Sequence, residues 1–380
     1  MVNVLIAPNS FKESSTSVII SNLIFTSFNK ILPEKIKKNF SFTIIPISDG
    51  GDGFLEVCVK KFNLTTHSIN LTAPYLETNI NCPFGYGLNS KTVYVESALI
   101  LGLNLIPADK RNPMKLSSIG IGELLKHLAG QCNSIKLDIE KVVIGVGGTG
   151  TSDLGLGVCE IFGLELLDKN GSTLNVLPHN FSMTEKIIWQ KPNLPFNLEL
   201  ILDVENPLLG VNGAVKTFGF QKGLKKNELK IAEKGFENIL SKLNINDEKM
   251  ESLSGAGGGL AAGLQIFFDA KTKTATQFIQ NDLGINNEKY KFDIVITGEG
   301  KFDNQSLLSK GAMIVLDEFK GSGSKRFVLC GIADVDKSKL PEINIVELVK
   351  YFKSKEESLN NIELGVELGV KEIIKILNKN

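Results

Sequence analysis

The sequence predicts an α/β protein, with one parallel-sheet domain built from both chain ends and a second, mixed α/β domain inserted between them. Three observations predict it. Short β-branched runs alternate with longer helical patterns toward both ends of the chain. The middle reads as antiparallel strands joined by turns. The length of 380 residues suits two domains of roughly 100–200 residues each.

The N-terminal run VNVLIAP (2–8) is apolar and stops at a proline, and SFTIIPIS (41–48) is a second such run. Between them STSVIISNLIFTSFNKIL has helical spacing and a serine-rich start suited to N-capping. Strand, helix, strand in this order favours a parallel sheet with helices on its faces, here a Rossmann-like domain. The C-terminal third repeats the order with DIVITG, RFVLCG and INIVELV, and GVELGVKEIIKIL supplies a closing helix. In the middle, HSINLTAPYLETNINCPFGYG and KTVYVESA read as antiparallel strands with turns at Ala73-Pro74 and Leu88-Asn89-Ser90. DKNGST (168–173) carries an Asn-Gly hairpin signal. The expected division is 1–70 with 285–380 for the Rossmann-like domain and 71–284 for the inserted one.

Composition excludes several function classes. Hydrophobic residues make up 42% of the chain, enough for a large core, and 42 basic residues cancel 42 acidic ones. No long basic run offers an electrostatic footprint for nucleic acid. The N-terminus lacks a basic leader region and no run of about 18 apolar residues occurs, so neither a signal peptide nor a membrane helix is expected. The five cysteines are scattered and never form CxxC, which fits a reduced, cytoplasmic protein. The three histidines show no zinc-like spacing.

Four segments share one design, an apolar strand followed by glycine and an acid. They are IIPISDGGDGF with Asp49 and Asp52, VVIGVGGTGTSDLGLG with Asp153, ELILDVENPLLG with Asp203 and Asn206, and VITGEGKFDNQS with Glu299 and Asp303. Ligand sites of open α/β sheets lie beyond the carboxyl ends of the strands. Glycine there lets backbone approach a ligand, and carboxylates there can hold Mg²⁺ or accept a hydroxyl proton. One such segment alone is commonly a turn with a helix cap; four in one chain argue for a ligand. Ammonium groups accompany them: Lys12 follows the first strand in APNSFKESSTS, Lys222 sits in FGFQKG, and Lys301 and Lys310 lie in the segment with the last acids. Carboxylates for metal and lysines for phosphate charge are what phosphoryl transfer requires.

A rival pattern is present. Gly145, Gly147 and Gly150 fit G-x-G-x-x-G after a strand, with Asp168 following 18 residues later, which would suit an NAD-dependent dehydrogenase. Asp153 opposes it, since a carboxylate at the start of the next helix would repel a pyrophosphate. The run GAGGGLAAGL (255–264) reads as close helix packing, and no P-loop motif occurs.

Taken in order, IAPNSFKESSTS, PISDGGDGF, VESALILGLNLIP, SSIGIGELL, VIGVGGTGTSDLGLG, DVENPLLG, FGFQKG, GAGGGLAAGL and DIVITGEGKFDNQS resemble the type-1 glycerate kinase family of bacteria nearly end to end. The resemblance implies two α/β domains, one inserted, with the site in the cleft between them. It implies an ATP- and Mg²⁺-dependent kinase whose partners are D-glycerate and ATP. On this reading Lys12 pairs with the substrate carboxylate or a phosphate. Asp49, Asp153 and Asp303 are the metal ligands and general base, with Asp52 a further metal candidate, and which does which stays open. Glu299 and Gln305 orient substrate or metal, and the backbone at Gly147, Gly148 and Thr149 lies against phosphate or substrate. Asn9, Ser10, Asp203, Asn206, Lys222, Lys301 and Lys310 complete the expected binding set. The chain departs from the family pattern, which usually has Asp at Asn9, Gly at Glu13, Glu at Asp52, Asn at Ser152, Gly at Leu154, Arg at Lys301 and Pro near Ala312. Asn9 removes a carboxylate, which leaves a catalytically weak homologue that binds a small hydroxy acid as an alternative. Lys301 keeps the charge but loses the planar fork of arginine.

Overall fold

The structure is a computed structural model and describes the chain except residues 13, 135, 287–290, 308–310 and 379–380, and the side chain of Asp247. The chain divides into two compact units, Met1–Lys61 with Ala275–Asn380, and Phe62–Thr274. In chain order the strands are β1 (Val2–Pro8), β2 (Phe40–Ile44), β3 (Thr65–Thr72), β4 (Asn79–Gly87), β5 (Thr92–Glu96), β6 (Lys141–Gly145), β7 (Glu165–Leu167), β8 (Thr173–Leu174), β9 (Lys186–Ile188), β10 (Asn197–Leu202), β11 (Lys271–Thr274), β12 (Ile294–Asp303), β13 (Lys325–Asp334) and β14 (Ile343–Glu347).

The first unit holds a parallel sheet of order β14-β13-β12-β1-β2. A parallel sheet covered on both faces needs strands that are apolar throughout, and Val4, Leu5, Ile6 and Ala7 of β1 are all fully buried. One face packs against Ile20, Ile24 and Phe28 of helix Ser17–Ile31 and Val366, Val370 and Ile373 of helix Ile362–Leu377. These positions recur at three- and four-residue spacing, the stripe of an amphipathic helix. Thr16 caps the first of these helices, its Oγ1 accepting a hydrogen bond from Ile19 N at 3.3 Å. The other face is covered by Ala312, Met313 and Leu316 of helix Gly311–Glu318, packed with Phe302, Val328 and Cys330.

One sequence expectation changes here. Gly298-Glu299-Gly300 reads as a turn in the sequence, yet β12 continues straight through it to Asp303, because β13 runs beside it with Lys301 opposite Ile332 and Asp303 opposite Asp334. Side chains alternate along a strand, so Lys301 and Asp303 share one face, and Phe302 between them is fully buried against helix Gly311–Glu318.

The second unit contains a six-stranded sheet, order β11-β10-β6-β5-β4-β3, parallel from β11 to β5 and antiparallel at β4 and β3. A small antiparallel sheet, β8-β7-β9, includes the hairpin around Asn170-Gly171. Strand β3 pairs with β4, which places residues 65–72 in this unit. Helix Leu260–Phe268 is apolar except for Gln265 and buries Leu260, Ala261, Ala262 and Leu264 completely. Among the described residues no helix is long and apolar enough to cross a membrane.

Asp153 fastens the turn after β6. It is fully buried, and its Oδ2 accepts hydrogen bonds from Ser118 N at 2.6 Å, Ser118 Oγ at 2.7 Å and Gly157 N at 3.2 Å. Its Oδ1 accepts one from Gly155 N at 3.3 Å. The carboxylate thus ties the start of helix Ile119–Asn133 to that of the short helix Leu156–Glu160. Removing it strands several buried donors, each worth about 1–3 kcal/mol when unsatisfied. Asp153→Ala is therefore expected to lower the unfolding free energy in urea by about 3 kcal/mol or more. Parent-like stability with abolished turnover would return Asp153 to the chemistry.

Candidate active site

The first unit gathers charge at the carboxyl ends of β1, β2 and β12. The chain leaves β1 at Pro8, where a ring replaces the N–H that a central strand needs. Asn9 follows, 7% exposed, its N–H bonded to Gly298 O at 2.8 Å. The Asn9 side chain faces two ways. Its Nδ2 donates to Asp49 Oδ2 at 3.2 Å and its Oδ1 accepts from Ser10 N at 2.8 Å. Gly311 lets this happen: a Cβ there would lie 2.4 Å from Asn9 Nδ2. Asp49 Oδ1 in turn accepts from Gly51 N at 3.3 Å. Lys12 is exposed and reaches Asp52 Oδ2 at 3.9 Å.

Strand β12 supplies the other half. Lys301 Nζ lies 3.0 Å from Asp303 Oδ2 and 3.4 Å from Asp334 Oδ2, and these bonds hold its ammonium above the ordinary lysine range. Asp303 Oδ1 accepts from Gln305 N at 2.9 Å and Ser306 N at 3.4 Å. Burial works upward on the Asp303 carboxyl, but Lys301 and these N–H groups outweigh it and keep it below the usual carboxylate range. Glu299 is the opposite case. Burial pushes it up to about 8, and the Asp49 and Asp303 carboxylates add to this against Ser306 and Lys12. Its Oε1 is buried and has no hydrogen-bond partner. Two carboxyl groups on one strand are thus driven apart in pKa, a pattern typical of functional sites.

The second unit brings together a separate group. After β6 the backbone passes Gly147, whose O accepts from Ser97 Oγ at 3.1 Å, and Gly148, which is left-handed at φ +68°. Lys222 Nζ donates to Thr149 Oγ1 at 3.1 Å and to Thr151 O at 2.7 Å. Asp203, just past β10, acts on this lysine through space. Asn206 Nδ2 closes its own loop on Asn212 O at 2.9 Å.

The structure thus places Asn9, Ser10, Lys12, Asp49, Asp52, Glu299, Lys301, Asp303 and Gln305 in one unit, and Gly147, Gly148, Thr149, Asp153, Asp203, Asn206 and Lys222 in the other. Lys310 lies outside the described residues. Asp334 and Ser306 were missed by sequence reasoning. Asp334 had a signal, since RFVLCGIAD repeats the order of apolar strand, glycine and acid. Among the described residues no three of His, Cys, Asp and Glu form a metal-ligand cluster. The dinucleotide pattern at 145–150 lacks its long helix, because only the five residues Leu156–Glu160 follow and Asp153 fills their start.

The Glycerate kinase family matches residues 4–378. A protein of Neisseria meningitidis serogroup B named glycerate kinase is 29% identical over 384 residues, covering 99% of each chain. A glycerate kinase of Haemophilus influenzae is 31% identical over 80% of this chain and 79% of its own. A glycerate 2-kinase of Escherichia coli K12 is 30% identical over 81% of this chain and 80% of its own. A solved structure from Salmonella typhimurium LT2, 24% identical, superimposes with a TM-score of 0.75 over 100% of this chain and 99% of that one, and so shares the fold. The chain belongs to the glycerate kinase family and is an enzyme of that phosphotransferase class, which sets aside the dehydrogenase reading.

Proposed function

We propose that this chain transfers a phosphoryl group from ATP, with Mg²⁺, to a hydroxyl of D-glycerate. The observation that carries the proposal is Glu299, a buried carboxyl with a partnerless oxygen, standing with Asp49, Asp303, Lys12 and Lys301 at the strand ends. Named relatives supply the substrate. Phosphoryl transfer asks a protein chiefly for positioning and charge stabilisation. Mg²⁺, when bound, neutralises phosphate charge and polarises the transferred group. Magnesium usually takes one or two carboxylates and leaves the remaining positions to water and phosphate. Asp49 and Glu299 fit that need, because one Glu299 oxygen is buried without a hydrogen-bond partner. Lys12 and Lys301 attract the phosphates. Asp303, held ionised, accepts the proton of the attacking hydroxyl. Asn9 orients Asp49 by its 3.2 Å hydrogen bond and sets a neutral amide where an aspartate would crowd in another negative charge.

Turnover separates this reading from a homologue that only binds a hydroxy acid. ADP release with D-glycerate and ATP is expected to cease in excess EDTA and to return with Mg²⁺. Undiminished release in EDTA would remove the metal, and glycerate binding without release would favour the binding-only homologue.

Asp303→Asn preserves shape and removes charge. It is expected to lower kcat by roughly 10²–10⁴, the usual scale of general acid–base work, with the protein still folded and its urea midpoint lowered slightly by the loss of the Lys301 ion pair. A kcat within about threefold of the parent, about 0.6 kcal/mol, would reduce Asp303 to a holder of Lys301.

A further inference from the structure

Lys222 ends helix Ala214–Lys222 as a buried ammonium, 9% exposed. Two of its hydrogens are placed, on Thr149 Oγ1 and Thr151 O. Among the described residues it makes no ion pair, and Asp203 and Asp153 reach it only through space. The Asp153 carboxylate is already spent on Ser118, Gly155 and Gly157. Burial accordingly drives the ammonium down to about 8. A second buried group here is unsatisfied: Thr151 is fully buried and its Oγ1 has no partner. Beside the ammonium stands Gly258, the middle of the run Gly257-Gly258-Gly259, all three left-handed, with φ of +66°, +69° and +88°. A Cβ on Gly258 would sit 2.8 Å from Lys222 Nζ and 2.1 Å from Thr151 O. Only glycine adopts this backbone freely and leaves that side of the lysine clear. A charge buried without a counterion is costly, and such groups are ordinarily paired.

We propose that Lys222 is an anion anchor, which binds a negatively charged oxygen group of a small substrate beside the glycine run 257–259. The anion is the carboxylate of the hydroxy acid or a phosphate of the nucleotide. That choice of ligands rests on the function proposed above, whereas the anchor itself rests on the buried, unpaired ammonium.

Lys222→Met keeps length and removes charge. Thermal unfolding of the full-length parent and K222M is followed with D-glycerate, with metal-free ATP, and with glycerol as the uncharged control. The parent is expected to gain Tm with glycerate or ATP and not with glycerol. K222M is expected to lose that gain, with apparent affinity for the anion roughly tenfold to a hundredfold weaker, while its ligand-free Tm equals or exceeds the parent's. A gain lost for glycerate assigns the carboxylate, and one lost for ATP assigns the phosphate. The proposal is overturned if K222M keeps the gain, if neither anion moves the parent, or if K222M is destabilised or unfolded, which would mark a structural lysine. The ADP-release assay distinguishes the two failures. Turnover by a parent whose anion gain survives in K222M removes the anchor alone. Absence of turnover with an anion gain that K222M loses removes the function and leaves the anchor.

Discussion

The parallel pairing of β1 with β12 is the constraint on which the first unit depends. It joins segments 290 residues apart, with Val4 opposite Ile294 and Pro8 opposite Gly298. Side-chain and main-chain bonds beyond the ladder lock it: Thr297 Oγ1 donates to Ala7 O at 2.7 Å, Asn3 N to Asp293 Oδ2 at 2.7 Å, and Asn9 N to Gly298 O at 2.8 Å. The last of these carries the register past the end of β1. It brings Asn9 and Lys12, which precede the first helix, alongside Glu299, Lys301 and Asp303, which lie on the last part of β12. Closing so long a loop is entropically costly, though the cost grows only slowly with length. The apolar strands offset it, each fully buried large side chain contributing about 1.5–3 kcal/mol.

That framework tolerates groups that oppose folding. Glu299, raised to about 8, costs stability in its ionised form, so its contribution is lost as pH rises from the ordinary glutamate value toward 8. Lys222, lowered to about 8, costs stability while protonated, so its penalty is present below 8 and fades as pH climbs toward the ordinary lysine value. The two groups pull in opposite directions, one in each unit. Glu299 keeps one oxygen without a hydrogen-bond partner, and Lys222 makes no ion pair among the described residues.

The fold class was legible because it lives in local patterns. VNVLIAP and DIVITG are apolar on both faces, as buried parallel strands must be, and the Asn170-Gly171 turn announces its hairpin. The acids at the strand ends were legible by residue type alone. What was not legible depends on distant partners. Gly298-Glu299-Gly300 reads as a turn until β13 is seen beside it. The hydrogen bonds to the Asp153 carboxylate from Ser118, 35 residues earlier, leave no trace in local spacing. The run GAGGGLAAGL holds both outcomes. Gly263 packs tightly as expected, since a Cβ there would lie 2.1 Å from Leu154 O, whereas Gly257–Gly259 are left-handed and Gly258 borders Lys222 instead. Chain-local spacing carries no signal for either contact.

The proposed function rests most heavily on Glu299, whose buried, partnerless oxygen lies on the strand that pairs the two chain ends. The most direct test is the Glu299 side-chain carboxyl resonance, followed by ¹³C NMR across pH with and without Mg²⁺ and ADP. The account predicts titration near 8 in the ligand-free protein and a marked fall when Mg²⁺ and nucleotide bind. Titration in the ordinary glutamate range, unmoved by Mg²⁺ and nucleotide, would contradict it.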